Sequence, residues 1–451
     1  MASRANASGF FVTERGVRPL ARGGAFVAGA DDAHSMWFNP AGLVHAGRSF
    51  LIDAAYVGHN VRYTRESLPA MNMPVSYPTV TNGQAPLAIP TLALTHNFGL
   101  QRANFGLMIA APNAVIPSYP EGSQDNPAPQ RYSLYTLNGS ILATVGVYGA
   151  YKPSEQFSFG GGILMLAGTF NARVALTGCP STITCQPEDP AWDAVAQIEA
   201  GPILSPTAAM GVQFAPAPWL RLGLSGQLPM WVDAPAKLRV RLPSHPFYDG
   251  AMTQGDSASV SFVMAPILRA GVEVRPTPVD RIEVAFVWEA WSVHDAITLT
   301  PQGMGISLTN VRGVGTYQIG PQTIVRGWQH AFSARIGYER HQSLPGGWKL
   351  FPRAGFSFDS SASPNEYTSV MTLDADKFVG TAGVGFGRGA WRIDANFAYA
   401  YSPPVVVAAG DARIPVVAPF RQSRDANRNY INGGRYEMSN FVAGAGFEYR
   451  F

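Results

Sequence analysis

The chain has 451 residues, of which 46% are hydrophobic and only 14% charged, whereas soluble globular domains usually carry about 25% charged residues. The 47 glycines and 36 prolines argue against a mainly helical protein, and no apolar run approaches the ~18 to 20 residues of a membrane-spanning helix. The net charge of +3 comes without a basic cluster, so nucleic acid is not an expected partner.

The two cysteines are Cys179 and Cys185. They are too few for a disulfide scaffold or a four-ligand zinc site. Their spacing predicts one loop disulfide in an oxidising compartment, and a pair of reduced thiols stays open as the alternative. The N-terminal residues lack the apolar region of a secretory signal, so the rest of the chain has to decide whether the protein is exported.

The dominant hydrophobic period is two, which is typical of β-strands. Near the C-terminus, Phe441, Phe447 and Tyr449 alternate with small or charged residues such as Gly446 and Glu448. Similar alternation occurs in 391–401, 282–289 and 330–339. Each of these segments therefore has one apolar face and one polar face.

Fourteen such segments can be counted, and the connections between them alternate between short and long. The short connections are 99–102, 152–156, 216–218, 276–279, 341–347 and 387–389. The predicted strands lie near 48–60, 88–98, 103–115, 131–151, 157–175, 205–215, 219–241, 257–275, 279–299, 324–340, 348–359, 376–388, 390–402 and 435–451.

An even strand number, alternating connection lengths and an apolar outer face predict an all-β membrane protein, a 14-stranded antiparallel transmembrane β-barrel in the outer membrane of a Gram-negative bacterium. A closed barrel satisfies its backbone hydrogen bonds in lipid, and its charged face can line a polar lumen. A soluble β-protein core is the alternative for the aromatic residues. A periplasmic aromatic girdle is expected from Phe157, Phe159, Trp219, Tyr338, Trp391, Tyr449 and Phe451.

Residues 1–47 do not alternate and are too irregular to cross lipid, so they are predicted to form a hatch inside a barrel of residues 48–451. We expect charges on the hatch to pair with a charged belt at the periplasmic end of the lumen, and solvation by lumen water is the alternative. The hatch charges are Glu14, Arg15, Arg18, Arg22, Asp31 and Asp32, and the belt is Arg221, Glu273, Arg281, Glu283, Glu339, Arg392, Asp394, Glu448 and Arg450.

The segment ASGFFVTERGVRPLARGGAFVAGADDAHSMWFNPAGL resembles the hatch of the FadL/TodX transporters of long-chain fatty acids and hydrocarbons. The family's mark is the triplet Asn39, Pro40 and Ala41. Further matching segments follow in family order at 285–293, 353–389 and 394–403. The resemblance implies a fourteen-stranded barrel closed by an N-terminal hatch.

The resemblance further implies passive uptake of hydrophobic molecules by a monomer that needs no cofactor. The ligand would pass from the extracellular loops into a lumen pocket and leave sideways through a kink in the third strand. An apolar path that bypasses the lipopolysaccharide suits such molecules, because burial of their surface is favourable. The expected partners are a hydrophobic small molecule, outer-membrane lipid and lipopolysaccharide.

Pro112 and Asn113 are the residues expected at the lateral opening, because Pro112 cannot donate to the β-ladder of an otherwise apolar strand. The alternative is that the strand has ended there.

The substrate contacts are predicted from the family's hatch and from the loops. Phe10, Phe11, Val12, Trp37 and Phe38 are the hatch candidates, although each could instead belong to the hatch core. An outer apolar groove could use Met71, Met73, Ile183, Trp192 and Ile198, and a carboxylate would need a cation, for which Arg131, Arg173 and Lys237 are the candidates.

The sequence also bears on two other functions. A general or small-solute porin would keep an open aqueous bore and would not need a hatch. An outer-membrane hydrolase is disfavoured because the sequence has no G-x-S-x-G motif, so no catalytic residue is predicted. No metal is expected either, because Asp425, Asn427 and Asn429 begin a calcium-loop pattern that Tyr430 and Tyr436 break.

Overall fold

The structure is a computed structural model that describes residues 15–66, 76–113, 116–180, 183–186, 188–371, 373–420 and 429–451. Its main feature is a sheet of fourteen antiparallel strands closed into a barrel, as the sequence predicts. The first strand pairs with the last along its whole length, from Ser49 opposite Arg450 to Arg65 opposite Gly434. This pairing joins the two ends of the sheet into a closed barrel, which is what a lipid environment demands.

The barrel strands are numbered here in chain order. They are β1 (Ser49–Arg65), β2 (Leu87–His96), β3 (Ala103–Asn113), β4 (Ile141–Tyr151), β5 (Phe157–Thr177), β6 (Asp193–Ala217), β7 (Leu220–Gln227 and Met230–Arg241), β8 (Ser257–Met264 and Ile267–Val274), β9 (Asp280–Glu289 and Ala296–Pro301), β10 (Gln322–Val325 and Ala331–Arg340), β11 (Trp348–Asp359), β12 (Lys377–Arg388), β13 (Trp391–Val407) and β14 (Gly434–Arg450).

Two predicted strand boundaries are wrong by about ten residues. The predicted fourth strand begins at 131, whereas β4 begins at Ile141, because the preceding loop turns inward and buries Tyr132 and Leu134. The predicted sixth strand begins at 205, whereas β6 begins at Asp193. Its first part pairs with the upper half of β5, for example Thr177 with Asp193, so both strands extend well beyond a single bilayer crossing.

The predicted orientation of the alternating faces is confirmed. In β13, Ile393, Phe397 and Tyr399 are exposed on the outer surface, while Asp394 and Asn396 are buried on the inner one. The same arrangement holds in β14, where Phe447 and Tyr449 face outward and Glu448 faces inward. An apolar exterior around a charged interior is the pattern expected of a barrel in lipid.

Four neighbouring strands, β7 to β10, are each interrupted between a lower and an upper half. In β9 and β10 the interruptions are long enough for side chains to turn inward, and Trp291, His294, Arg326 and Trp328 are all buried there. Trp291 and Trp328 meet edge to face with ring centroids 5.2 Å apart. The sequence, read as continuous strands, does not predict this inward bend of the wall.

Residues 15–46 lie inside the barrel. They form α1 (Val17–Ala21), α2 (Ser35–Phe38) and a 3-10 helix (Pro40–His45). Their side-chain and backbone groups bond to strands spread around the whole circumference, including β1, β3, β6, β9, β10 and β12. No helix among the described residues is long and apolar enough to cross a membrane.

The remaining elements lie in the connections. Val80–Thr81 pairs with β1, and Gln342–Ser343 pairs with β11. Met252–Gln254, Ile306–Val311 and Gly315–Ile319 form a separate three-stranded sheet. Short 3-10 helices span Pro190–Trp192, Pro246–Tyr248, Trp291–Val293, Pro345–Gly347 and Asn365–Tyr367.

Candidate functional site: the lumen

Arg18 on α1 is the centre of a buried ion-pair network at the lower end of the lumen. Its guanidinium makes a bidentate pair with Glu339 of β10, with N–O distances of 2.9 and 2.7 Å. It also binds Asp31 at 2.6 Å and Asp32 at 2.8 Å. The side chain of Arg18 is only 3% exposed, so the interaction is charge-assisted and shielded from water.

The barrel wall adds its own charges to this network. Arg281 binds Asp31 at 2.5 Å, and Arg392 binds Asp32 at 2.9 Å. Arg392 also contacts Asp394 and Glu448 on β13 and β14. The predicted pairing of hatch charges with a charged belt is therefore present for the described residues Arg18, Asp31 and Asp32, while Glu14 lies outside the described residues.

Glu283 on β9 holds a second part of the segment. Its carboxylate accepts hydrogen bonds from the backbone N–H groups of Val27, Ala28 and Gly29 at 2.6, 2.8 and 3.0 Å. Arg22 donates to the same carboxylate at 3.3 Å and to Glu273 at 3.2 Å. One buried carboxylate thus binds a loop backbone and a cation together, which fixes this loop against the wall.

His34 bridges the segment to β1. Its Nδ1 lies 2.9 Å from Asp32 and its Nε2 lies 2.7 Å from Asp53. Burial alone would lower the pKa of His34, but the two carboxylates outweigh burial and raise the pKa to about 10. The imidazole is therefore a cation at neutral pH and works as a fixed ionic link.

The triplet Asn39, Pro40 and Ala41 joins the segment to β5 and β6. The side-chain oxygen of Asn39 accepts from Ala41 N–H and caps the 3-10 helix, with Pro40 in its first turn. The amide of Asn39 donates to the carbonyl oxygens of Val27 and Val212, both at 3.0 Å.

Two glycines of the wall make this close approach sterically feasible. A Cβ at residue 211 would lie 2.1 Å from the Asn39 side-chain oxygen, and one at residue 160 would lie 2.5 Å from the Pro40 carbonyl oxygen.

The two hatch aromatics predicted as substrate contacts lie in the core of the segment. Trp37 and Phe38 are buried with Phe26, Met36 and Leu43 against the wall. Phe26 and Phe38 meet edge to face at 5.7 Å. Among the described residues, neither Trp37 nor Phe38 lines the large cavity described next. Their predicted contact with substrate stays a prediction, and Phe10, Phe11 and Val12 lie outside the described residues.

A large apolar cavity occupies the upper part of the lumen. Its empty volume is about 1230 Å³, including the part open to solvent. The walls are inward-facing aliphatic residues of β5 to β10, and loop residues close the top. Representative lining residues are Phe170, Val174, Ala196, Ile198, Leu238, Val260, Leu299, Met371 and Phe420.

Arg326 is the cation of this cavity, and sequence reasoning did not select it. It lies where β10 is interrupted and is only 2% exposed. Its guanidinium stacks over the ring of Trp328 at 4.6 Å. The signal in the sequence was a glycine, Gly327, between Arg326 and Trp328 in a predicted strand. In the structure Gly327 adopts a positive φ of 59°, which lets the chain bend inward.

The three cations predicted for a carboxylate have other surroundings. Arg131 is buried and bound to Asp193 at 2.7 Å. Arg173 and Lys237 are on the outer surface of the barrel, because the residues on either side of each point into the lumen. A strand places successive side chains on opposite faces, so neither Arg173 nor Lys237 can reach a ligand in the cavity.

The loop residues predicted to form an outer groove separate into three groups. Ile198 lines the cavity. Trp192 is buried and stacks on His245 at 3.7 Å, and Ile183 is exposed. Met71 and Met73 lie outside the described residues. Cys179 and Cys185 form a disulfide in the same loop region.

The third barrel strand has an irregular end. The ladder between β2 and β3 stops at Thr91 opposite Ala110. On the other side, the β3–β4 register shifts between Ala110 and Asn113. Pro112 lies within that shift, and the upper part of β2 is left without β3 as its neighbour.

The chain matches a known family along its whole length. The sequence model described as outer membrane protein transport protein (OMPP1/FadL/TodX) matches residues 1–451. No curated protein matched the sequence. Within the described residues, no cluster of His, Cys, Asp or Glu could hold a metal ion.

Solved structures share the fold. A Pseudomonas aeruginosa FadL homologue aligns with a TM-score of 0.71 and 16% identity over 98% of this chain and 100% of that one. The Ralstonia pickettii toluene transporter TbuX gives 0.62 and 16% over 98% and 99%. The Pseudomonas putida toluene transporter TodX gives 0.64 and 13% over 98% and 100%.

The ion-pair network predicts a specific defect. Arg18→Met leaves Asp31, Asp32 and Glu339 buried without their shared cation, and breaking a buried pair costs about 3–5 kcal/mol. We expect the opening free energy of residues 15–46, measured by hydrogen exchange, to fall by roughly that amount. Arg450→Met is the control. The Arg450 side chain that pairs with Glu448 is 47% exposed, and exposed pairs contribute only ~0–1 kcal/mol. Equal protection in both variants would contradict the network's role.

Proposed function

Because the chain belongs to the OMPP1/FadL/TodX family of outer membrane transport proteins, we propose that it takes hydrophobic small molecules from outside the cell into the apolar cavity and releases them sideways into the membrane. The family consists of transporters rather than enzymes, and its members are outer-membrane barrels. The observation that carries the proposal is the apolar cavity, lined by aliphatic residues, above a lumen floor of buried ion pairs.

The same arrangement argues against a general porin. A porin needs a continuous aqueous bore, whereas residues 15–46 fill the lower lumen and bond to strands around its circumference. Two of the similar structures are toluene transporters, which supports small hydrocarbons as one substrate class. Long-chain fatty acids are the second class, because their alkyl chains would contact the same aliphatic walls.

Filling the cavity tests its role directly. Ala196 lines the cavity, whereas the next residue, Gln197, is exposed on the outer face of the same strand. We expect Ala196→Trp to reduce uptake of toluene and oleate by roughly tenfold or more, because the indole occupies the space of the ligand. Gln197→Trp should leave uptake unchanged.

The assay compares oleate, toluene and a small sugar in cells that lack their own transporter. Uptake of the sugar by the wild-type protein, or equal uptake by the two tryptophan variants, would contradict the proposal. The amount of folded barrel in the outer membrane is measured for every variant.

The proposed lateral exit lies at the irregular end of β3. The ladder between β3 and β2 ends there. In the ladder between β3 and β4, the register shift leaves one extra residue in β3. Apolar residues line the lumen at this level, since Leu20, Val57 and Ile89 form a buried cluster against which Ala111 packs. A hydrophobic ligand that reaches this part of the wall would therefore contact apolar side chains.

Removing the extra residue tests the exit. Deleting Pro112 should let β3 pair continuously with β4 and close the opening, so uptake should fall by at least about tenfold while the cavity still binds ligand. Deleting Gly303 in an exposed loop is the matched control. Normal uptake by the Pro112 deletion would place the exit elsewhere.

Arg326 is proposed to decide whether carboxylates are accepted. A guanidinium at the wall of an apolar cavity can pair with a carboxylate while the alkyl chain contacts the aliphatic walls. We expect Arg326→Met to lower oleate uptake about tenfold and to leave toluene uptake unchanged, because one charge-assisted pair is worth about 1.5 kcal/mol or more. An equal loss of both substrates would assign Arg326 a purely structural role.

A further inference from the structure

The outer surface of β7 carries three cations above its membrane-facing part. Lys237, Arg239 and Arg241 alternate with Leu238 and Val240, which line the cavity. The alternation of a strand therefore directs all three cations away from the lumen and toward the surroundings of the barrel. All three are outside the transport path described above.

Two tryptophans, one at the lower turn and one on the same strand, indicate the height of the three cations relative to the bilayer. Trp219 at the lower turn and Trp231, which is 63% exposed, are both on the surface. Twelve positions separate them, which is close to the ~9–11 residues of one tilted crossing with an aromatic at each interface. Lys237 lies six positions beyond Trp231, or roughly 20 Å further along a tilted strand. The three cations thus begin above the acyl chains, at the level of lipid headgroups and the sugars attached to them.

Neighbouring strands extend this charged surface. Arg173 of β5 pairs with Gln197 of β6, and Gln197 pairs with Arg239, so the three lie in one row on the outer face. The four cations Arg173, Lys237, Arg239 and Arg241 are named here the basic ladder.

Carboxylates neutralise only part of the basic ladder. Glu199 lies 3.3 Å from Arg239, and Glu121 lies 2.9 Å from Arg173. Within the part of the chain that the structure describes, Lys237 and Arg241 make no ion pair. Asp233 is on the same face but four positions nearer the membrane. The exposed Asp256 adds a third carboxylate at this height, because the next residue, Ser257, lies opposite Lys237. Four cations against Glu199, Glu121 and Asp256 leave this surface with one positive charge in excess.

We propose that the basic ladder binds lipopolysaccharide of the outer leaflet through the phosphate and carboxylate groups of its headgroup and inner core. Clusters of Lys and Arg next to a membrane recognise anionic lipid headgroups, and guanidinium groups bind phosphates in a bidentate manner. The strand spreads its three cations over roughly 13 Å, which suits several anionic groups along one headgroup rather than a single ion. The proposal depends on the outer-membrane location and not on the transported substrate.

The chain offers a matched control. Arg62 of β1 and Arg435 of β14 are also exposed on the outer surface, but both contact Glu437 at 3.8 and 2.9 Å. Substituting them removes the same kind of charge from a patch in which each cation contacts a carboxylate, whereas Lys237 and Arg241 of the basic ladder make no ion pair within the described residues. The control variant is Arg62→Gln with Arg435→Gln, and the test variant is Lys237→Gln, Arg239→Gln and Arg241→Gln.

The experiment measures binding of purified, delipidated barrel to a lipid A that carries two Kdo sugars, with dephosphorylated lipid A and phosphatidylglycerol as comparison lipids. We expect the test variant to bind the first lipid at least about tenfold more weakly than wild type, and the control variant to bind it normally. Heat-modifiable gel mobility confirms that each barrel is folded, and toluene uptake should be unchanged.

Three results would overturn the proposal. They are normal binding by the test variant, an equal loss in the control variant, and equal wild-type affinity for phosphatidylglycerol, which would mean unspecific attraction to anionic lipid. Weaker binding of wild type to dephosphorylated lipid A would support it, because the phosphates are the groups proposed to be recognised.

Discussion

The buried pairing of Arg18 with Glu339, Asp31 and Asp32 is the interaction on which the interior of this barrel depends. A barrel in lipid must direct apolar side chains outward, so its charged residues collect on the inner wall. Charges on the inner wall need either water or counter-charges, because an isolated buried charge is costly. Residues 15–46 supply the counter-charges, and the wall and the segment therefore stabilise each other.

This constraint divides the lumen into two chemically different halves. Below, carboxylates are matched with guanidinium groups and His34 between the segment and β1, β8, β9, β10 and β13. Above, aliphatic residues of the extended β5, β6 and β7 enclose an apolar cavity. The division is possible because these strands continue beyond the bilayer and the loops fold inward, as the burial of Tyr132 and Leu134 shows.

Much of the barrel was predictable from the sequence, because a period of two is a direct consequence of strand geometry. The orientation of β13 and β14 follows from that pattern. The pairing of Arg18, Asp31 and Asp32 with the wall was expected from the inward charges near the short turns, with solvation by lumen water as the alternative. The inward bends of β9 and β10 were not predictable, since Trp291 and Arg326 keep an apparently regular pattern in the sequence. Lys237 shows the same limit. Leu222 and Leu224 face outward below the break after Gln227, and Trp231 and Lys237 face outward above it, so the break changes which positions of β7 point into the lumen.

The charged floor also bears on the direction of transport. Moving the segment aside would separate Arg18, Arg22 and His34 from buried carboxylates, and each broken pair costs several kcal/mol. A passive transporter has no energy source to offset such a cost, and a hydrophobic ligand gains little by entering a charged lumen. A route that leaves the lumen above the floor avoids both penalties. At Ala110, next to the apolar cluster around Ile89, the ladder between β2 and β3 has already ended, so the proposed lateral route would have few backbone hydrogen bonds to break there.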